Sequence, residues 1–176
     1  MRLALAATLM IGVAQASANG GGVAAPGAKI ADTGKPGKAK LLKSGKAIPP
    51  SNAPARVRRA IAAANRIRKR PYVFGGGHAS FNSRGYDCSG AVSYALHAAG
   101  MLKSPMPSGP LMSWGQRGRG RWITVYANGG HAYAVIAGLR WDTSSGGDSR
   151  SQGSGPRWRY TKRVPGGYAK RHYGNF

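Results

Sequence analysis

The chain has 176 residues, of which 27 are Lys or Arg and four are acidic, giving a net charge of +23 with 41% hydrophobic residues. That suffices for one modest domain with accessory segments, and the charge predicts a salt-sensitive attraction to polyanions. The only acids are Asp32, Asp87, Asp142 and Asp148, too few for most paired-carboxylate chemistry, and Cys88 with the scattered His78, His97, His131 and His172 forms no recognisable metal-ligand pattern, so no metal or other cofactor is expected.

Met1-Arg2, an apolar run from Leu3 to Ala14 and the small residues Ala16-Ser17-Ala18 read as a cleavable secretory signal over residues 1–18. The run is too short to span a bilayer comfortably, so no stable membrane insertion is expected. Residues 19–52 are Gly, Ala, Pro and Lys with no aromatic side chain, the composition of a flexible basic linker. Such a segment is either a solvated tether or a means of holding the protein to an anionic surface.

The folded domain is expected over 53–176. Ser51 or Asn52 is placed to cap a helix with Pro54 in its first turn. Val57, Ile61, Ala64 and Ile67 recur on one face, and the helix ends before Pro71. Arg58, Arg59 and Arg66 mark a solvated opposite face. The run Tyr72-Val73-Phe74-Gly75-Gly76-Gly77-His78 lacks the pattern of a phosphate-binding loop, and its glycines are expected to let backbone pass close to a neighbouring site.

Cys88, the single cysteine, falls where Gly85-Tyr86-Asp87 gives way to a helical spacing of Val92, Leu96 and Ala99, closed by Gly100. A thiol at a helix N-terminus meets unpaired N–H groups and the positive end of the helix dipole, which favour the thiolate. A lone cysteine is also often a small buried hydrophobe, and from chemistry alone the two readings stand about level.

Lys103 to Arg121 reads as a mobile Pro/Gly-rich basic loop, although its Arg/Gly run is of the kind that clings to nucleic acid. Three strands then follow at Trp122–Ala127, His131–Ala137 and Leu139–Thr143, separated by Asn128-Gly129-Gly130 and Gly138. Such a meander brings His131 beside Asp142. A histidine held by a carboxylate and facing a cysteine at a helix N-terminus is the nucleophile, base and orienter arrangement of cysteine hydrolases. Ser144 to Gly155 is expected to be a mobile loop, and the tail, which interleaves aromatics with cations, to supply one last strand and a basic end or else to stack on bases.

In Tyr72-x-Phe74-Gly75-Gly76, in Gly85-Tyr86-Asp87-Cys88-Ser89-Gly90-Ala91-Val92 and in His131 at a strand start, the chain resembles the NlpC/P60 family of cell-wall endopeptidases, which are papain-like cysteine peptidases. The resemblance covers about residues 66–143. It implies an α+β fold in which a helical half carrying the cysteine packs on an antiparallel β-sheet carrying the histidine. By that likeness Cys88 is the nucleophile, His131 the general base and then acid, Asp142 the orienting residue, and Tyr72, Asp87 and Ser89 line the substrate end of the cleft. Gly118-Arg119-Gly120-Arg121 stands where the family usually has a Pro-Gly-Asp turn.

The implied protein is secreted to the bacterial cell wall and hydrolyses peptidoglycan stem peptides at the amide between D-glutamate and the diamino acid, with its basic surface on anionic wall polymers. A non-catalytic cationic wall-binding module on the same fold is the second reading. A specific nucleic-acid-binding protein ranks third, because it explains the charge but not the signal segment.

Overall fold

Regular structure starts upstream of the first expected helix. The computed structural model describes residues 34–144, 155–160 and 166–176. The signal segment, residues 19–33 of the expected linker, most of the Ser/Gly loop and residues 161–165 lie outside the described residues. Two short strands, β1 (Lys40–Leu41) and β2 (Ala47–Ile48), pair as an antiparallel hairpin inside the stretch expected to be flexible. From residue 34 to 52 the linker expectation is therefore corrected, for a reason that composition hides. Ala39 and Ala47 are small enough to enter the core, and the Ala39 N–H donates to the Ala137 carbonyl at 2.8 Å. The side-chain amide of Asn65 takes both backbone groups of Ala47, accepting from its N–H at 2.9 Å and donating to its carbonyl at 2.8 Å.

Helix α1 (Ala55–Ile67) buries Val57, Ile61, Ala64 and Ile67 as the spacing requires, with Arg58, Arg59 and Arg66 in solvent. Pro54 occupies the N-cap and no side chain caps the helix. Asn52 instead donates to the Lys35 carbonyl, outside the helix. Helix α2 (Cys88–Ala98) starts at the cysteine and stops at Gly100, whose φ of +68° suits a residue without a Cβ. A four-residue helix, α3 (Ser108–Leu111), breaks the Pro/Gly-rich stretch, so that stretch is not a continuous loop.

The remaining strands are β3 (Gln116–Arg117), β4 (Ile123–Ala127), β5 (Ala132–Ile136), β6 (Leu139–Asp142), β7 (Arg157–Tyr160) and β8 (Ala169–His172). They form one sheet in the order β3-β8-β4-β5-β6-β7, with every pairing antiparallel. The expected meander is its centre. The tail supplies two strands rather than one, and the second lies between β3 and β4. Helix α2 packs between α1 and the β5–β6 region, so the core is a helical layer on one antiparallel sheet. This is the α+β arrangement read from the sequence. Among the described residues no helix is long and apolar enough to cross a membrane.

Candidate active site

Asp87 fixes where α2 begins. Its Oδ1 accepts from the Gly90 N–H at 2.7 Å, the bond of a helix N-cap, and from the Ser89 hydroxyl at 3.2 Å. Its Oδ2 accepts from the Gly75 N–H at 3.2 Å, so the same carboxylate ties the glycine run to the cysteine helix. The contact is close: a Cβ on Gly90 would stand 2.0 Å from the Gly76 carbonyl oxygen. On the other side the Trp141 indole N–H donates to the Ala91 carbonyl at 2.9 Å and fastens the first turn of α2 to β6. Cys88 is thus held at the junction of helix, glycine loop and sheet, and is 8% exposed.

His131 precedes β5 by one residue and is set by a turn. Asn128 Oδ1 accepts from the His131 N–H at 2.8 Å and from the Gly130 N–H at 3.0 Å. At the far end of β5, Ala137 and Gly138 both have positive φ, +46° and +82°, the two-residue hairpin geometry that matches strand twist. The register pairs Ala134 with Trp141, and continuing it puts Tyr133 opposite Asp142, with His131 the diagonal neighbour on the same face. His131 Nε2 lies 2.9 Å from Asp142 Oδ1. The same Oδ1 accepts from the Ser144 N–H at 3.0 Å, and Arg140 Nε lies 3.3 Å from Oδ2.

Because Asp142 takes Nε2, the other ring nitrogen of His131 is left for the hydrogen bond that His131 makes with Cys88. The electrostatics follow from these contacts. Burial opposes a charged imidazole, but the hydrogen bonds to Asp142 and Cys88 and their charges outweigh it and raise the pKa of His131 to about 9. Burial likewise opposes a thiolate on Cys88, yet the hydrogen bonds from His131 and from the Ala132 N–H, with the His131 charge, hold its pKa below the ordinary thiol value. Asp142 is desolvated too, and the His131 and Ser144 hydrogen bonds with the His131 and Arg140 charges bring its pKa down. Between the Cys88 and His131 titrations the favoured state is a thiolate–imidazolium pair.

The structure brings Cys88, His131 and Asp142 together as the sequence expects. Tyr72 is 40% exposed, and its phenol pKa is raised by burial and then by the charges of Cys88 and Asp87, so it lies within electrostatic reach of both. Asp87 and Ser89 are 4% and 2% exposed and direct their polar atoms at α2, the glycine loop and each other. Two neighbours had not been assigned a part. His78 Nε2 lies 2.8 Å from Asp87 Oδ2 and 2.9 Å from Ser89 Oγ. Tyr168 sets its ring edge-on to His131, with centroids 6.4 Å apart and planes at 77°, and also edge-on to Tyr133. A histidine after a glycine run and a tyrosine in a basic tail carry no local signal of these placements. Among the described residues no group of three or more His, Cys, Asp or Glu is placed to hold a metal ion.

No family model matches the chain, and no curated protein matches it in sequence. Solved structures do. The peptidoglycan hydrolase RipB from Mycobacterium tuberculosis superposes with a TM-score of 0.51 at 24% identity, over 73% of this chain and 70% of that one. A mutated form of the Resuscitation Promoting Factor Interacting protein RipA superposes with a TM-score of 0.50 at 21% identity, over 69% and 63%. An NlpC/P60 family protein from Bacillus cereus gives 0.49 at 20% identity, over 73% and 42%. This chain spans less than two thirds of the latter two. Its structural neighbours are NlpC/P60 family proteins, and the fold it shares with RipB and RipA is the α+β NlpC/P60 fold.

Proposed function

We propose that this chain is a secreted cysteine endopeptidase that hydrolyses peptidoglycan stem peptides, in the bacterial cell wall, at the amide between D-glutamate and the diamino acid. The observation that carries the reading is the hydrogen-bonded series Cys88, His131, Asp142, with the His131 pKa at about 9 and that of Cys88 lowered. The Cys88 thiolate attacks the scissile carbonyl carbon, and the Cys88 backbone N–H, in the first turn of α2, serves as oxyanion donor in this reading. The His131 imidazolium gives its proton to the leaving amine as the C–N bond breaks, leaving a thioester on Cys88. Neutral His131 then takes a proton from water, whose oxygen attacks the thioester carbonyl; the C–S bond breaks, the peptide acid leaves, and the thiolate–imidazolium pair is restored. Asp142 keeps the ring oriented and compensates its charge throughout. Tyr72, which is exposed, lines the substrate end together with Asp87 and Ser89.

The test is incubation of defined stem peptides with the wild-type chain and with Cys88→Ala, products being weighed by mass. Cleavage at the named amide by wild type alone is expected. Full activity of Cys88→Ala would end the proposal. Binding of insoluble wall without turnover, together with slow alkylation of Cys88 below the ordinary thiol pKa, would establish the non-catalytic binding module in its place.

A further inference from the structure

The β1–β2 hairpin borders an open groove of about 590 Å³ between its turn, the C-terminal end of α1 and the edge strand β7. Lys43, Arg68, Lys69 and Arg157 line it, with the exposed Tyr160 at its border, and no carboxylate is among its lining residues. The two aspartates among the described residues, Asp87 and Asp142, are both committed at the Cys88 site.

The arginines are held in place. Arg157 donates from Nη1 to the Arg68 carbonyl at 2.8 Å and to the Pro156 carbonyl at 2.9 Å, while Arg68 donates to the Asn65 carbonyl at 2.8 Å. The bonds to the Arg68 and Asn65 carbonyls cover the negative end of α1, which would otherwise repel an anion. The hairpin wall is fixed as well, by the Leu42 N–H to the Lys46 carbonyl and the Gly45 N–H to the Leu42 carbonyl, each at 2.9 Å. Burial, and then the charge of Arg159, lowers the pKa of Arg157.

We propose that this groove is a second binding site, separate from the Cys88 centre, that takes the phosphate groups of a phosphodiester-linked polyol polymer. Fixed guanidinium forks suit tetrahedral oxyanions, and the two flexible lysines can follow successive charges along a chain. Nucleic acid fits less well, because base stacking needs a series of open aromatic faces. Here Trp158 is 3% exposed with its indole N–H bonded to Asn65, leaving only Tyr160 accessible. The wall setting of the preceding proposal supplies only the source of such a polymer. Occupancy of the groove is measured without any cleavage, so the two proposals fail separately.

The test compares the wild-type chain with Lys43→Ala/Lys69→Ala and with Arg117→Ala/Arg119→Ala. The latter removes equal charge from exposed positions on and beside β3, at the opposite edge of the sheet. Titrations at about 0.15 M salt use poly(glycerol phosphate), polyglutamate of matched charge, a single-stranded oligonucleotide of matched charge, and inorganic phosphate. Poly(glycerol phosphate) is expected to bind wild type most tightly, to weaken about tenfold in Lys43→Ala/Lys69→Ala and to change less than about twofold in the β3-edge variant. Inorganic phosphate should compete with it at high concentration. Equal losses in both variants would reduce the effect to diffuse charge and overturn the proposal, as would equal or tighter binding of polyglutamate or of the oligonucleotide, or no binding of the phosphate polymer by wild type.

Discussion

His131 and Asp142 are 11 residues apart in the chain and 2.9 Å apart at Nε2 and Oδ1, because a two-residue turn at Ala137-Gly138 folds β6 directly back on β5. The carboxylate is 2% exposed, so its charge acts on the imidazole with little screening by solvent. Replacing Asp142 by Asn keeps the size of the side chain and removes the charge. The His131 pKa should then fall from about 9 toward the ordinary 6.5, and the Cys88 thiolate should lose part of its stabilisation. Alkylation of Cys88 by iodoacetamide at neutral pH is expected to slow about tenfold in Asp142→Asn, its pH profile moving to higher pH. An unchanged profile would show that Asp142 does not support the ion pair.

The same pair makes stability depend on pH in a defined window. The folded-state pKa of His131 is raised, so its contribution is fully present below the unfolded value of 6.5 and is lost as pH climbs through about 9. Asp142 is shifted down, so its contribution is present above its unfolded value of 3.8 and disappears as pH drops through its folded value. The Tm difference between wild type and Asp142→Asn should therefore be largest from about pH 4 to 6.5 and shrink toward pH 9. Thermal melts across that range measure it. A difference that grows with pH above 6.5 would reverse the sign assigned to His131.

Much of this centre was legible because its signals are local. Val92, Leu96 and Ala99 announce a helix that must begin near Cys88, and β-branched and aromatic runs around Asn128-Gly129-Gly130 and Gly138 announce a meander that must bring His131 to Asp142. What stayed hidden depends on partners distant in sequence. The strand Ala169-Lys170-Arg171-His172 has no apolar alternation, and it is a strand because β4 pairs with it, Tyr126 standing opposite Lys170. The hairpin of β1 and β2 has two residues per strand and is held by one amide side chain from α1, by the Ala39 N–H on the Ala137 carbonyl and by the burial of Ala39 and Ala47. His78 joins the site only because the glycine run folds back over the N-terminus of α2.

That fold-back makes Gly90 a sensitive position. A Cβ there would stand 2.0 Å from the Gly76 oxygen and 3.1 Å from the Gly77 Cα, both backbone atoms with no rotamer to escape through. Gly90→Ala is expected to lower stability by about 1–3 kcal/mol, although alanine is the better helix former, because the glycine run has to move away. The displacement should also reach Tyr72 and the Gly75 bond to Asp87, so Cys88 reactivity should change along with the Tm. A Tm at or above that of wild type would show that the loop yields without cost.

Asn65 is the side-chain link between β2 and the domain, and its removal tests how firmly residues 34–52 belong to the fold. One side-chain oxygen accepts from both the Ala47 N–H and the Trp158 indole N–H, each at 2.9 Å, and the amide nitrogen serves the Ala47 carbonyl. Asn65→Ala leaves those groups without this partner, at about 1–3 kcal/mol for each group that water cannot reach. Asn65→Asp keeps the acceptor and loses the donor, so it should fall between alanine and wild type. Hydrogen exchange should speed up at Ala39, Leu42 and Ala47 in Asn65→Ala while the α2 amides stay protected, because the hairpin opens locally and the Cys88 helix is fastened elsewhere, through Asp87 and Trp141. Uniform loss of protection across both regions would mean that the hairpin and the helix unfold as one unit, and unchanged exchange at the hairpin would mean that Asn65 does not secure it.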